Sequence, residues 1–473
     1  MLFLAGLTNV AAQANNSRPN IIFILADDLG YGDVSCYNPE SKIYTPNIDK
    51  LAANGMRFTD AHSGGSLSTP ARYSLLTGRY SWRSRLKSGV LNNEAPPLIE
   101  ENQMTVGRLL QENGYNTACF GKWHLGLNWA RNNDNTIDYD GKITEGPITR
   151  GFDYFFGVNT NASTFFIEND RVVEPPTIPK PDEVYGDEAL MVPGWTFEDL
   201  MPTLTQRVID YIKNASGKRD ANKPYFIYFA ATSPHSPIMP AKNFIGTSKA
   251  HLIGDFIQQF DWEIGQIIKA LEEEGVIDNT LVIISSDNGP MHWDGTNMRG
   301  GSNSIFQYGH NPSYPLRGKK SDIWEAGHRV PYIAYWRSKI PANTVNNELK
   351  SQIDFMATVA AILDVELPEG AGEDSYNMLP VLKAQNTAPI RDLLVNHSGR
   401  GMFALRQNSW KLILAGGSGG FTNPATNEAA QELGLPPIQL YNLEDDLGET
   451  NNLQAIYPEK VEEMTNILNS IIH

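Results

Sequence analysis

Two apolar spacings alternate along most of the chain. Ile21–Ala26, Pro224–Thr232, Leu281–Ile284 and Val330–Trp336 are runs without a polar face, as strands covered on both sides read. Ile253, Phe256, Ile257, Phe260, Ile264, Ile267, Ile268 and Leu271 instead recur every three or four positions, so that segment predicts a helix with one core-facing stripe. Thr45-Pro46 opens a shorter helix that Asn54-Gly55 closes, and Thr105 to Gly114 frames another. Thr117–Phe120 predicts a further strand. This alternation predicts an α/β fold, a large mixed and mostly parallel sheet flanked by helices. After about residue 385 the pattern changes. Phe403–Arg406 and Trp410–Leu414 read as an antiparallel hairpin around Gln407-Asn408-Ser409, Gln439–Leu443 as another strand, and Pro458–Ile472 as an amphipathic helix. The expected organisation is therefore an N-terminal segment over 1–17, a main domain over 18–385 and a small C-terminal α+β unit over 386–473. Residues from about 127 to 200, rich in Asn, Asp, Gly and Pro, predict irregular structure shaping the mouth of a site.

Composition narrows the function. With 473 residues, 41% hydrophobic and 19% charged, the chain can build an ample core. Its formal net charge of −16 disfavours nucleic acid and anionic membranes, so an anionic substrate must be drawn by local cations. Cys36 and Cys119 are too few for a disulfide framework and are expected as free thiols. The apolar N-terminus ends in Ala12-Gln13-Ala14, like the tail of a secretory signal, but lacks a positive n-region. We therefore expect a true start further upstream and an exported protein, periplasmic or at the cell surface of a bacterium. No later run is long and apolar enough to span a bilayer.

Two strand ends carry the candidate chemistry. Asp27-Asp28 follows the first apolar run and Asp287-Asn288 a later one, the places where open α/β sheets bind ligands. Four oxygen donors suit a hard divalent cation such as Ca²⁺ better than zinc. In Ala61–Tyr80, Thr69 is positioned to cap a helix with Pro70 at its first turn. Ser68 and Arg72 then sit at the helix N-terminus, where backbone N–H groups and the dipole favour an anion.

Ser68-Thr69-Pro70-Ala71-Arg72 followed by Leu75-Leu76-Thr77-Gly78-Arg79 resembles the signature of the type I, formylglycine-dependent sulfatases of the alkaline-phosphatase-like superfamily. Further segments resemble that family in the same order: Gly121-Lys122-Trp123-His124, Pro234-His235-Ser236-Pro237, Leu316–Lys320 with Glu325–Pro331, and Leu440–Glu449. The resemblance implies one metal on Asp27, Asp28, Asp287 and Asn288, and a Ser68 oxidised after translation to Cα-formylglycine by a radical maturation enzyme. It also implies that the aldehyde hydrate attacks sulfur, with Arg72, Lys122 and Lys320 around the sulfate. His235 would protonate the leaving oxygen, and His124 would deprotonate the second hydroxyl to release sulfate. Lys319 and Ala326 stand where the family has glycines. The expected substrate is a sulfated saccharide, from a glycosaminoglycan, mucin or algal glycan. An exo-acting enzyme on 4- or 6-sulfated galactose or N-acetylgalactosamine leads that list. His292, Trp293, His310, Arg317 and Arg400 are further candidates for sugar contacts. Alternatives left open are a non-catalytic glycan-binding relative and a two-zinc phosphatase or phosphodiesterase of the same superfamily. A Ser replacing a native Cys also fits this sequence.

Overall fold

In the computed structural model, residues 18–186, 189–214 and 219–473 are described; the predicted signal segment over 1–17 lies outside them. Ten strands form the main sheet: β1 (Asn20–Asp27), β2 (Met56–Phe58), β3 (Asn116–Lys122), β4 (Tyr154–Val158), β5 (Ile167–Glu168), β6 (Arg171–Val172), β7 (Tyr225–Pro234), β8 (Thr280–Ser286), β9 (Tyr332–Tyr335) and β10 (Thr344–Asn346). Their order is β10-β2-β9-β8-β1-β7-β3-β4-β5-β6. The central five, β8-β1-β7-β3-β4, run parallel, while β9, β5 and β6 add antiparallel pairs toward the edges.

Both faces of β1 are covered, which is why its sequence has no polar alternation. Ile21, Phe23 and Leu25 pack with helices α2 (Ser68–Thr77), α3 (Val106–Glu112) and α6 (Phe355–Leu363). Ile22, Ile24 and Ala26 face α1 (Pro46–Ala53), α4 (Leu200–Ile212) and α5 (His251–Glu273). The predicted α5 stripe is the buried one: Phe256, Ile257, Phe260, Ile264, Ile267 and Leu271 are buried, with Ile253 and Ile268 half-buried at its border. Thr105 caps α3 by accepting from the Arg108 N–H.

A four-stranded antiparallel sheet follows, built of β11 (Leu393–His397), β12 (Phe403–Gln407), β13 (Trp410–Ile413) and β14 (Gln439–Asn442). The hairpin between β12 and β13 turns on Asn408, whose φ of 52° is the left-handed value Asn tolerates. Helix α7 (Pro458–Ile472) packs Met464 and Leu468 beneath this sheet. Among the described residues no helix is long and apolar enough to cross a membrane.

Candidate active site

The parallel strands bring their C-terminal ends to one edge, and the site is assembled there. β1 ends in Asp27, β3 in Lys122, β7 runs into His235 and β8 into Asp287. Neighbours along a strand normally point to opposite faces. Asp28 escapes that rule by adopting φ 69°, and its carboxylate lies beside Asn288 and Lys320 rather than across the sheet. Gly121 has a different constraint: at φ 93°, a Cβ there would sit 1.9 Å from the Ala230 carbonyl oxygen, so only glycine lets β3 approach β7 before Lys122.

Ser68 is the first residue of α2, with Leu67 as the extended residue before it. The cap assigned to Thr69 from sequence is not made. Its hydroxyl instead donates to the His124 carbonyl (3.1 Å) and accepts from the Leu91 N–H (3.2 Å), tying α2 to the loop after β3. The helix begins two residues earlier, at Ser68, which places that residue at the end where backbone N–H groups favour an anion. Ser68 Oγ donates to Asp27 Oδ1 (3.3 Å) and accepts from Lys122 Nζ (3.4 Å).

Around this hydroxyl lie three carboxylates and three cations. Lys122 Nζ meets Asp27 at 2.7 Å, Arg72 meets Asp287 at 2.8 Å and Asp27 at 3.5 Å, and Lys320 meets Asp28 at 2.7 Å. Arg72 is fully buried and also donates to the Lys122 carbonyl (3.0 Å). Burial opposes the Asp27 carboxylate, but Lys122, His235, Arg72 and Lys320 outweigh it and hold its pKa well below the usual range. Burial wins at Asp28, despite Lys320, and at Asp287, where Asp27 adds to it; both are raised.

This donor set fits a hard cation. Asn288 Nδ2 donates to Asp28 Oδ1 (2.7 Å), which leaves Asn288 Oδ1 buried without a hydrogen-bond partner. A buried acceptor left unmet costs about 1–3 kcal/mol. A cation among Asp27, Asp28, Asp287 and Asn288 would satisfy it. Asp27, Asp28 and His235 also bring ligating atoms within 4.8 Å of one another. The second such group, His62, Glu325 and His328, is already compensated. Lys411 (3.0 Å), Arg329 (3.1 Å) and Arg406 (3.5 Å) surround Glu325, and the two histidines bond each other through Nδ1 at 3.0 Å. We read it as a structural ion network.

The histidines are held as neutral rings. His124 Nε2 donates to the Leu91 carbonyl (3.0 Å), leaving Nδ1 buried as an unpartnered acceptor. Burial, with Lys122 and Arg72, pushes its pKa well down. His235 Nδ1 donates to the Ser236 carbonyl (2.6 Å), which leaves Nε2 3.8 Å from Asp28. Burial, with Lys320, pushes the His235 pKa down to about 3.

Ser68, Lys122, His124, His235 and Lys320 share a cavity of about 440 Å³. Trp293 and Arg400 line it as well. His292 does not; it lines a neighbouring cavity, held by Asn303 (3.2 Å) and Ser313 (2.8 Å). Two sequence assignments are corrected. His310 is buried against Asp33 (2.8 Å), away from the cavity, and serves the loop after β1. Arg317 stacks on Trp324 (3.6 Å) and donates to the Tyr441 hydroxyl (3.2 Å), bracing the C-terminal unit. Sequence reasoning missed Arg299, Tyr185 and Phe421 in the lining. Tyr185 comes from the irregular stretch predicted for the mouth, whereas Arg299 and Phe421 lie in turns without periodicity. Arg299 donates to the Tyr185 hydroxyl (3.2 Å) and covers the Trp293 ring at 5.1 Å.

A family model described as Sulfatase matches residues 19–365. N-acetylgalactosamine-6-O-sulfatase of Bacteroides thetaiotaomicron is 33% identical over 505 residues, covering 97% of this chain and 94% of its own. Human arylsulfatase A is 31% identical over 469 residues, covering 94% and 85%. A structure solved in work on glycosaminoglycan metabolism by Bacteroides thetaiotaomicron superposes with a TM-score of 0.83 at 32% identity, covering 96% of this chain and 99% of that one. A sulfatase from Pseudoalteromonas sp. superposes with a TM-score of 0.75 at 25% identity, over 96% and 90%.

Proposed function

Because this chain belongs to the sulfatase family and is a sulfuric ester hydrolase, we propose that it desulfates a carbohydrate, using Ser68 as the precursor of its nucleophile. N-acetylgalactosamine 6-sulfate at the end of a glycan is the first substrate to test, given the specificity named for the Bacteroides relative. The observation carrying this reading is the placement of the Ser68 hydroxyl. It sits at a helix N-terminus, 3.3 Å from Asp27 and 3.4 Å from Lys122, opening on the cavity lined by His124, His235 and Lys320.

A sulfate monoester gives a base little to remove, so the chain must orient it, neutralise its oxygens and help a poor alkoxide leave. Arg72, Lys122 and Lys320 face the sulfuryl oxygens with positive charge. When bound on Asp27, Asp28, Asp287 and Asn288, a Ca²⁺ ion supplies Lewis-acid charge at the same place. When Ser68 is oxidised to formylglycine, the hydrated aldehyde supplies the nucleophilic oxygen and a second hydroxyl. His124 offers its free Nδ1 lone pair to that second hydroxyl. His235 holds the leaving-group side; it must take a proton on Nε2 to serve as the acid. Burial and Lys320 disfavour that proton, and negative charge on a bound substrate would favour it. The three carboxylates and three cations nearly balance, so a divalent cation held among them would add the positive charge that a sulfate needs. Maturation by a radical enzyme, and export to the periplasm or cell surface, complete the proposal; the Ala12-Gln13-Ala14 tail supports export.

Mass spectrometry of the Ser68 peptide from naturally matured protein, together with sulfate release from defined sulfated sugars, tests it. We expect a peptide lighter by two hydrogens and release that chelators abolish. An intact serine with full turnover overturns the reading.

A further inference from the structure

Two cavities share one wall beside the site. Met291 and Trp293 line the active-site cavity, while His292 between them lines a second one, also of about 440 Å³. Lys320 faces the first and Lys319 the second; Phe421 borders both. The segments 291–293 and 319–320 and the residue Phe421 thus serve both linings.

The second cavity is cationic and unbalanced. Among the described residues no Asp or Glu lines it, and Lys319 is nine-tenths buried at 8% exposure. Its ammonium makes no hydrogen bond or ion pair among the described residues, while its backbone N–H donates to the buried Asp322 carboxylate behind the lining (3.0 Å). This ammonium is therefore available to an anion from outside. Phe306 and Phe421 expose 42% and 51% of their surface beside it, and Asn303 adds polar groups. Aromatic faces, amides and one unpaired cation are what an acidic sugar ring needs.

We propose that this cavity is the subsite for the next sugar of an anionic glycan, with Lys319 pairing with that sugar's carboxylate or sulfate. The inference rests on the reading that the enzyme desulfates a glycan, and the lysine stands where the resembling family has glycine. A terminal sulfated sugar in the first cavity would place its neighbour past Phe421, the residue both linings share.

The test compares N-acetylgalactosamine 6-sulfate alone, the same sugar linked to a uronic acid, and that disaccharide with the uronate reduced to a neutral sugar. In the matured enzyme the acidic disaccharide should show the lowest KM. Its advantage over the neutral one should shrink about tenfold in Lys319→Met and persist in Lys319→Arg. A disaccharide bearing sulfate in place of the uronate separates the two anion sources. Calorimetry of the same disaccharides on Ser68→Ala protein reads the subsite without turnover. Sulfate release with binding indifferent to Lys319 overturns the subsite and keeps the activity. Binding that depends on Lys319 without sulfate release overturns the activity and keeps the subsite.

Discussion

Arg72→Met is the sharpest test of how the site is held together. The guanidinium is fully buried, 2.8 Å from Asp287 and 3.5 Å from Asp27. Methionine fills much of the volume but strands Asp287 without its main counter-charge. Removing one partner of a buried pair costs about 3–5 kcal/mol. A chain of this length that melts as one unit has an unfolding entropy near 1 kcal/mol per degree, so Tm should fall by roughly 3–5 °C. That full loss is expected in chelator. With saturating Ca²⁺ the cation takes over part of the compensation, and the loss should be about half as large. The double variant Arg72→Met/Asp287→Asn removes the stranded charge and should regain most of the stability in chelator. Both variants should lose turnover by about 10²–10³-fold or more, because the charge facing the sulfuryl oxygens is gone. Calorimetric melting with and without chelator, beside sulfate release, reads all of this. A single variant that melts with the wild type in chelator, or a double variant no more stable than the single, refutes the reasoning.

Other expectations are more local. His235→Ala should lose roughly 10²-fold or more on a sugar sulfate but under tenfold on nitrophenyl sulfate, whose leaving group needs no acid; equal losses would remove His235 from that role. Glu263 lies buried in α5, accepts from Gln259 (2.9 Å), and burial pushes its carboxyl up to about 8 from 4.5. Its contribution is therefore complete below about pH 4.5, where folded and unfolded forms are both protonated, and is lost as pH rises to 8, by up to roughly 5 kcal/mol. Glu263→Gln should flatten stability across that window in denaturant titrations, and an unchanged slope would contradict the burial argument. Lys411→Met should destabilise the whole chain by about 3–5 kcal/mol, because Glu325 (3.0 Å) and Glu449 (2.8 Å) are both fully buried against it. Separate melting of the C-terminal unit alone would count against that coupling.

The sequence shows the central strands and their catalytic ends clearly because each strand is covered on both faces and so is apolar throughout. Asp27-Asp28 and Asp287-Asn288 stand out as polar stops to such runs. Helix α6 was not visible: its sequence, FMATVAAIL, is apolar all round, so no stripe separates it from a strand. Helix α4 carries Pro202 and five β-branched residues, weak helix signals that its buried Leu204 and Val208 override. Strand β2 has three residues, too few for a period. At the site, motif order located the residues that gather around Ser68, while the cavity's outer lining was hidden. Arg299 and Phe421 reach it from turns whose path no local pattern fixes. His310 and Arg317 show the reverse: each carries suitable chemistry, yet tertiary packing spends it on Asp33 and on Trp324 with Tyr441.

Lys411 gives the molecule a rule of inheritance. The small sheet, whose connecting loops bring Arg400 and Phe421 to the cavity lining, is wired by this side chain to Glu325, in the segment that also carries Lys320. Exchanging outer loops alone between related chains would therefore leave this buried link unmatched. A working chimera must bring the buried ammonium and its two acidic sockets together, as one transplanted piece.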